Sequence, residues 1–129
     1  MARNNTISAT FSQASGDGAS GYTESSGSQS FTSGDSIKIE GTIAHGSATV
    51  YDVDTFGMAQ ADGVYFENRD ATNFITLILN DSGATALSTL KIAPNGVFMV
   101  RVDDSQTAIN QVSIQADTAP CEFVLCLSE

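Results

Sequence analysis

Apolar and polar residues alternate along most of this chain in short runs of period two, the spacing that puts apolar side chains on one face of a β-strand. The pattern is clear in Asn5–Ser12 (Ile7, Phe11), Ser36–Glu40 (Ile37, Ile39) and Val112–Ala116 (Val112, Ile114). It recurs in Ser88–Ile92 (Leu90, Ile92), Val97–Val102 (Phe98, Val100) and Phe123–Leu127 (Phe123, Leu125). Ser47–Val53 is centred on Val50 and Tyr51, and Gly63–Leu79 supplies Val64, Phe66, Ile75, Leu77 and Leu79. These residues, with Val50 as the inward one of its pair, are the expected core.

The breaks between runs carry turn chemistry. Asn68, Asp70 and Asn73 bend the backbone onto their own side chains, so Gly63–Leu79 reads as a hairpin: strand, polar turn, strand. Asn80-Asp81-Ser82-Gly83 and Asp103-Asp104-Ser105 read as turns. So does Ala93-Pro94-Asn95-Gly96, with Pro in second place and Asn-Gly after it. Residues 13–28 are rich in Gly and Ser, with Tyr22 as the one anchor, and read as a loop or arm. Helical periodicity is nearly absent; Ala59-Gln60-Ala61 and Thr107–Asn110 are expected as single turns.

Eight or nine short strands at turn-to-turn spacings of roughly 8–12 residues are expected, which is the mark of a sandwich or barrel. The fold class is therefore all-β: one antiparallel β-sandwich over 1–129, jelly-roll-like, because the Trp and Cys pair of an immunoglobulin core is missing.

Composition narrows the function. The net charge is −10, and the five basic residues Arg3, Lys38, Arg69, Lys91 and Arg101 are scattered. No patch forms among sequence neighbours, so contact with nucleic acid or an anionic membrane is not expected. The acidity serves solubility or docking on a basic partner. The start has one charge and no apolar run, so no signal peptide is read there, and no stretch is long enough to span a bilayer.

Candidate chemistry is sparse. The lone His45 sits in a turn-like Ala44–Ser47 and would have to serve any triad. Gly16-Asp17-Gly18 precedes no helix and is no phosphate cradle. Asp52, Asp54, Asp62, Asp70, Asp81, Asp103 and Asp104 fall in turns, where Asp bends the chain; the other use of such pairs is to hold Ca²⁺. Cys121 and Cys126 are five apart in one strand, roughly 16 Å, whereas a disulfide needs Cα atoms within about 7 Å. They also lie on opposite faces, so both are expected as small hydrophobes without a bridge. No catalytic, cofactor-binding or metal-binding residue is assigned, and no cofactor is expected.

Val64-Tyr65-Phe66-Glu67-Asn68-Arg69-Asp70-Ala71-Thr72-Asn73-Phe74-Ile75 resembles a segment of the small virion proteins of tailed bacteriophages: aromatic, x, Asn, x, Asp, Ala-Thr-Asn, aromatic, Val or Ile. In that family a second segment follows, Leu-Lys-x-x-Pro-Gly-Glu, an apolar strand and Arg. Here it stands as Leu90–Arg101, with Asn95-Gly96 in place of Gly-Glu. The closing Phe123–Glu129 is also similar, and together the likeness covers about the last two thirds of the chain. The resemblance implies a β-sandwich in a virion setting. The expectation is a non-enzymatic, capsid-associated (decoration or stabilisation) subunit made in the host cytoplasm. It would be a homo-oligomer, with the major capsid or other virion proteins as partners. The alternative is a carbohydrate- or receptor-binding module of a tail or fibre, which should show exposed aromatics such as Tyr22, Tyr51 or Tyr65 on one face.

Overall fold

The structure is a computed structural model. It describes residues 3–14, 21–33, 35–103 and 107–129; for 3–5, 7, 13, 22 and 29–33 only the backbone is described. The expected core position of Ile7, the Tyr22 side chain and the Asp104-Ser105 turn lie outside these limits. The chain divides into two compact units, Met1–Ser33 and Gly34–Glu129.

The first unit is a two-stranded antiparallel ribbon of β1 (Arg3–Gln13) and β2 (Tyr22–Ser33). Residues 22–28, expected in the Gly/Ser-rich loop, are strand. Their Ser and Thr side chains gave no apolar alternation, and backbone pairing to β1 holds them instead. The register shifts between Ser8 and Thr10. Ala9 there faces two residues, Ser26 and Gly27; Gly27 takes φ 64°, and the Ala9 N–H donates to Ser26 Oγ at 2.9 Å. This is a β-bulge built on a glycine. Every described side chain of the ribbon is exposed, including Phe11 at 65%. Phe11, expected in the core, is thus an exposed residue.

The second unit is a complete sandwich. Its strands are β3 (Ser36–Ile43), β4 (Thr49–Asp52), β5 (Gly63–Asn68) and β6 (Ile75–Asn80). β7 (Ala86–Ile92), β8 (Val97–Arg101), β9 (Gln111–Ala116) and β10 (Cys121–Ser128) complete it. One sheet runs β3-β10-β5-β8 and the other β4-β9-β6-β7, all pairs antiparallel. This order, with β3→β4, β5→β6, β7→β8 and β9→β10 each crossing between sheets, is the jelly roll. Gly63–Leu79 is therefore not a hairpin: β5 and β6 pair with β10 and β9, not with each other. The helical segment falls at Val53–Phe56, a 3₁₀ turn closed by Gly57 at φ 84°. Neither Ala59–Ala61 nor Thr107–Asn110 is helical, because Ala61 and Ile109 pair as an isolated bridge.

Val64, Phe66, Ile75, Leu77, Leu79, Ile92, Val112, Ile114, Phe123 and Leu125 are buried between the sheets, as their alternation requires. Ile37, Ile39, Leu90, Phe98 and Val100 are half-buried against them. Val50 is 51% exposed, and Tyr51 packs on the core in its place. Tyr51 lies opposite Val112, which faces inward, while Val50 lies opposite Ser113; cross-strand partners share a face, so a one-residue slip inverts the assignment. The core also takes Ile43, Val53, Met58, Ala61, Ile109 and Leu127. Leu125→Ala should cost about 2–5 kcal/mol, whereas Val50→Ser should stay within about 0.5 kcal/mol; urea unfolding of the two variants checks the inverted register of β4.

Candidate functional site

The two motif segments singled out from the sequence meet at one end of the sandwich. Asn68 ends β5 and is wholly buried, at 0% exposure. Its Nδ2 donates to the backbone carbonyls of Asn73 (2.9 Å), Ile92 (3.1 Å) and Ala93 (3.0 Å). Its Oδ1 accepts from the Asp70 N–H at 3.0 Å. One side chain therefore ties the β5–β6 crossover to the β7–β8 crossover. Backbone bonds reinforce the tie: Asn68 N–H to Gly96 O at 2.9 Å and Asn95 N–H to Asp70 O at 3.0 Å. The β9–β10 crossover joins through Thr118 Oγ1, which donates to Asn73 Oδ1 at 2.8 Å, and the start of β10 joins through Arg69 N–H to Glu122 O at 2.9 Å.

Asp70 holds the turn itself. Its Oδ1 accepts from the backbone N–H of Asn73 (2.6 Å) and of Thr72 (2.8 Å), and from Thr72 Oγ1 (3.1 Å). These donors favour the charged form, first the Asn73 amide and then the Thr72 amide, and hold the carboxyl below the usual aspartate range. In the facing turn, Gly96 N–H donates to Ala93 O at 2.8 Å and Asn95 takes φ 58°. A positive φ at the third residue of the turn, the one directly after Pro94, is what a type II turn demands, and Asn tolerates it. A Cβ on Gly96 would lie 2.8 Å from Ala93 O, so glycine is required there by space. The Asn-x-Asp-Ala-Thr-Asn and Pro-Asn-Gly motifs are thus a structural lock.

The other carboxylates take up their own partners. Asp81 Oδ1 accepts from Gly83 N–H (2.8 Å) and Thr85 N–H (2.9 Å), and Ala84 takes φ 58°, so this turn forms where expected. Asp52 accepts from Gln111 Nε2, and Asp62 pairs with Arg101 at 3.5 Å. Asp52 and Asp54 line an open groove with Val53, Ala59, Ser82, Asn110 and Gln111. Among the described residues, no three His, Cys, Asp or Glu side chains gather as metal ligands would. His45 is exposed and makes an isolated bridge to Ala116.

On the outer face of the first sheet, Lys38 pairs with Glu40, and Arg69 reaches both Glu40 and Glu67, each at 3.4 Å. The Tyr65 hydroxyl donates to Glu67 at 3.1 Å. These side chains flank Val124 and Cys126 of the central strand β10. Cys121 is buried in the core and Cys126 half-buried on the opposite face; both are free thiols, and burial raises both above the ordinary cysteine value.

The exposed large hydrophobics of the second unit, Val50, Leu87 and Val97, lie on β4, β7 and β8. Each of these is an outer strand of its sheet. Sequence alternation could not find this feature, because it gives faces and not neighbours.

No family model and no curated protein matches this chain. One solved structure is similar over 73% of this chain and 83% of its own, at 21% identity and a TM-score of 0.47: a protein of the Bacillus endospore appendages, which form a family of disulfide-linked pili.

Asn68→Ala should destabilise the sandwich by about 2–4 kcal/mol, since it leaves buried carbonyls without donors and opens a void. Urea unfolding measures this. For Asp70 the folded-state value is the lowered one, so its ionic contribution is complete above the unfolded-state value and disappears as pH falls through the folded one. The melting temperature of Asp70→Asn should therefore lie below that of the unaltered protein at neutral pH. The gap should close only below the ordinary aspartate range.

Proposed function

We propose that this chain is a non-enzymatic structural subunit of a bacteriophage particle, associated with the capsid and attached by several protein–protein contacts as a homo-oligomer. The observation that carries the reading is the ribbon of β1 and β2. It offers 11 and 12 residues of strand whose described side chains are all exposed and mostly Ser and Thr. A two-stranded ribbon is at best marginally stable alone, and a third strand or a packing surface makes it durable. Among the described residues its sheet has no third strand, so β1 and β2 are both edge strands of it. Such an edge is a template for pairing with another chain.

The sandwich supplies the rigid body, and its acidity favours a basic shell surface and disfavours nucleic acid. The virion setting comes from the resemblance of Val64–Ile75 and Leu90–Arg101 to tailed-phage virion proteins. Several weak contacts of this kind give firm attachment when many copies bind one particle. A glycan-binding module gains no support from Tyr51 or Tyr65, since Tyr51 packs on the core and the Tyr65 hydroxyl is engaged with Glu67.

Deletion of residues 1–33 removes no strand from either four-stranded sheet and no core residue. The shortened protein should unfold in a cooperative transition like that of the intact one. Its incorporation into particles, measured by copy number after purification, should fall by about tenfold or more. Undiminished incorporation would sink the assembly role of the ribbon.

A further inference from the structure

The four outer strands of the sandwich are not equally protected. β3 carries the charged, exposed Lys38 and Glu40. β4 is four residues long, ends at Asp52 and runs straight into a 3₁₀ turn. β7 carries the exposed Lys91, and its ladder shifts register at Leu79/Asn80. Charge, shortness and irregularity are the ordinary means of stopping a sheet edge from recruiting another strand. β8 is the least protected, with one charge, Arg101, at its very end. It reads Val97-Phe98-Met99-Val100-Arg101, apolar for four residues, without Pro and in unbroken register with β5. Val97 is 59% exposed.

The direction of its backbone groups follows from the ladder. Asn68 N–H to Gly96 O and Val102 N–H to Asp62 O, at 2.9 and 2.8 Å, bracket the β5–β8 pairing. Antiparallel bonds alternate, so Phe98 and Val100 address β5 while the N–H and C=O of Val97 and Met99 point to the open side. Phe98 and Val100 turn their side chains to the core; Val97, Met99 and Arg101 occupy the outer face.

We propose that β8 pairs antiparallel with β8 of a second copy about a two-fold axis at Met99, joining two four-stranded sheets into one. This register uses the whole strand and suits both copies equally, as a two-fold contact must. Met99 lies opposite the second copy's Met99, with the outward backbone groups of each meeting. Phe98 lies opposite Val100, so the apolar inner faces run on without a break. Val97 lies opposite Arg101, which keeps the two arginines apart and sets each beyond Val97 from Glu67, Val97's partner in β5 on the same outer face. One pair of five-residue strands buries well under the roughly 1,200 Å² of a stable interface. The contact is weak alone and acts where copies are held close together.

The inference rests on the reading of the chain as a self-associating subunit, and its test is separate from particle attachment. Full-length Met99→Cys and Val97→Cys proteins are purified, oxidised at high concentration and run without reductant beside the unaltered protein. In the proposed register the two Met99 Cα atoms are about 5.5 Å apart, within disulfide reach. The two Val97 Cα atoms are four strand residues apart, roughly 13 Å. Both positions are on an outer strand, and far-ultraviolet circular dichroism verifies that both variants fold. The expected result is a disulfide-linked dimer from Met99→Cys only. Equal cross-linking of Val97→Cys, or none from folded Met99→Cys, would overturn the proposal. A trapped dimer from a protein that never enters particles would refute the particle reading and leave this contact standing.

Discussion

The sandwich depends on one buried amide. A jelly roll must carry its chain across from sheet to sheet several times, and each crossing leaves backbone carbonyls facing a low-dielectric interior. Asn68 answers for three of them in two crossovers: Asn73 is 5 residues from it in sequence, and Ile92 and Ala93 are 24 and 25. No apolar side chain could do this, and a charged one would lose more in desolvation than it gained. The turn at Asp70 then has its shape fixed from within by its own carboxylate, and the turn at Asn95 is bonded to it. Three crossovers become one rigid end. The strands on either side inherit their register from it: β5 against β8 and β6 against β7 are set once these two turns are joined.

A rigid end of this kind changes what the motif residues mean. Their side chains are used up on the backbone. Asp70 accepts from two amides and a hydroxyl, and Asn68 is inaccessible. A segment so dense in polar residues looks like a binding loop when only its composition is considered. Its hydrogen bonds mark it as the fastening of the fold, and the surfaces left for partners are elsewhere, at the strand edges. Three of those edges in the sandwich are interrupted by charge, shortness or irregularity, whereas β8 carries a charge only at its end, Arg101. Among the described residues, the sheet of β1 and β2 has no third strand and no core of its own.

Much of this was legible in the chain. Period-two alternation marked eight of the ten strands, and the turns at Asp81 and Pro94-Asn95-Gly96 formed from the residues that announced them. The core positions in β5, β6, β9 and β10 followed from the same alternation. The misreadings share a cause. Residues 22–28 carry no apolar alternation, so a strand held by backbone pairing was indistinguishable from a loop. Val50 and Tyr51 are adjacent and both apolar enough to face inward, and only the partner strand decides between them. Gly63–Leu79 has the local grammar of a hairpin, and the grammar is correct for the bend.

What the sequence by itself determined was therefore local: where strands run, where they stop and which turns have the residues to close. These depend on the conformational preferences of a few neighbouring residues and on a two-residue period, and both are written along the chain. What only the tertiary structure decided was every relation at long range. Which sheet receives β6 after the bend at Asn68, which carbonyls the Asn68 amide finds, and which four strands are left at the edges all depend on partners far away in sequence. Closing those distances is driven by burial of the shared core, which acts on the whole unit at once and leaves no signature in any single segment.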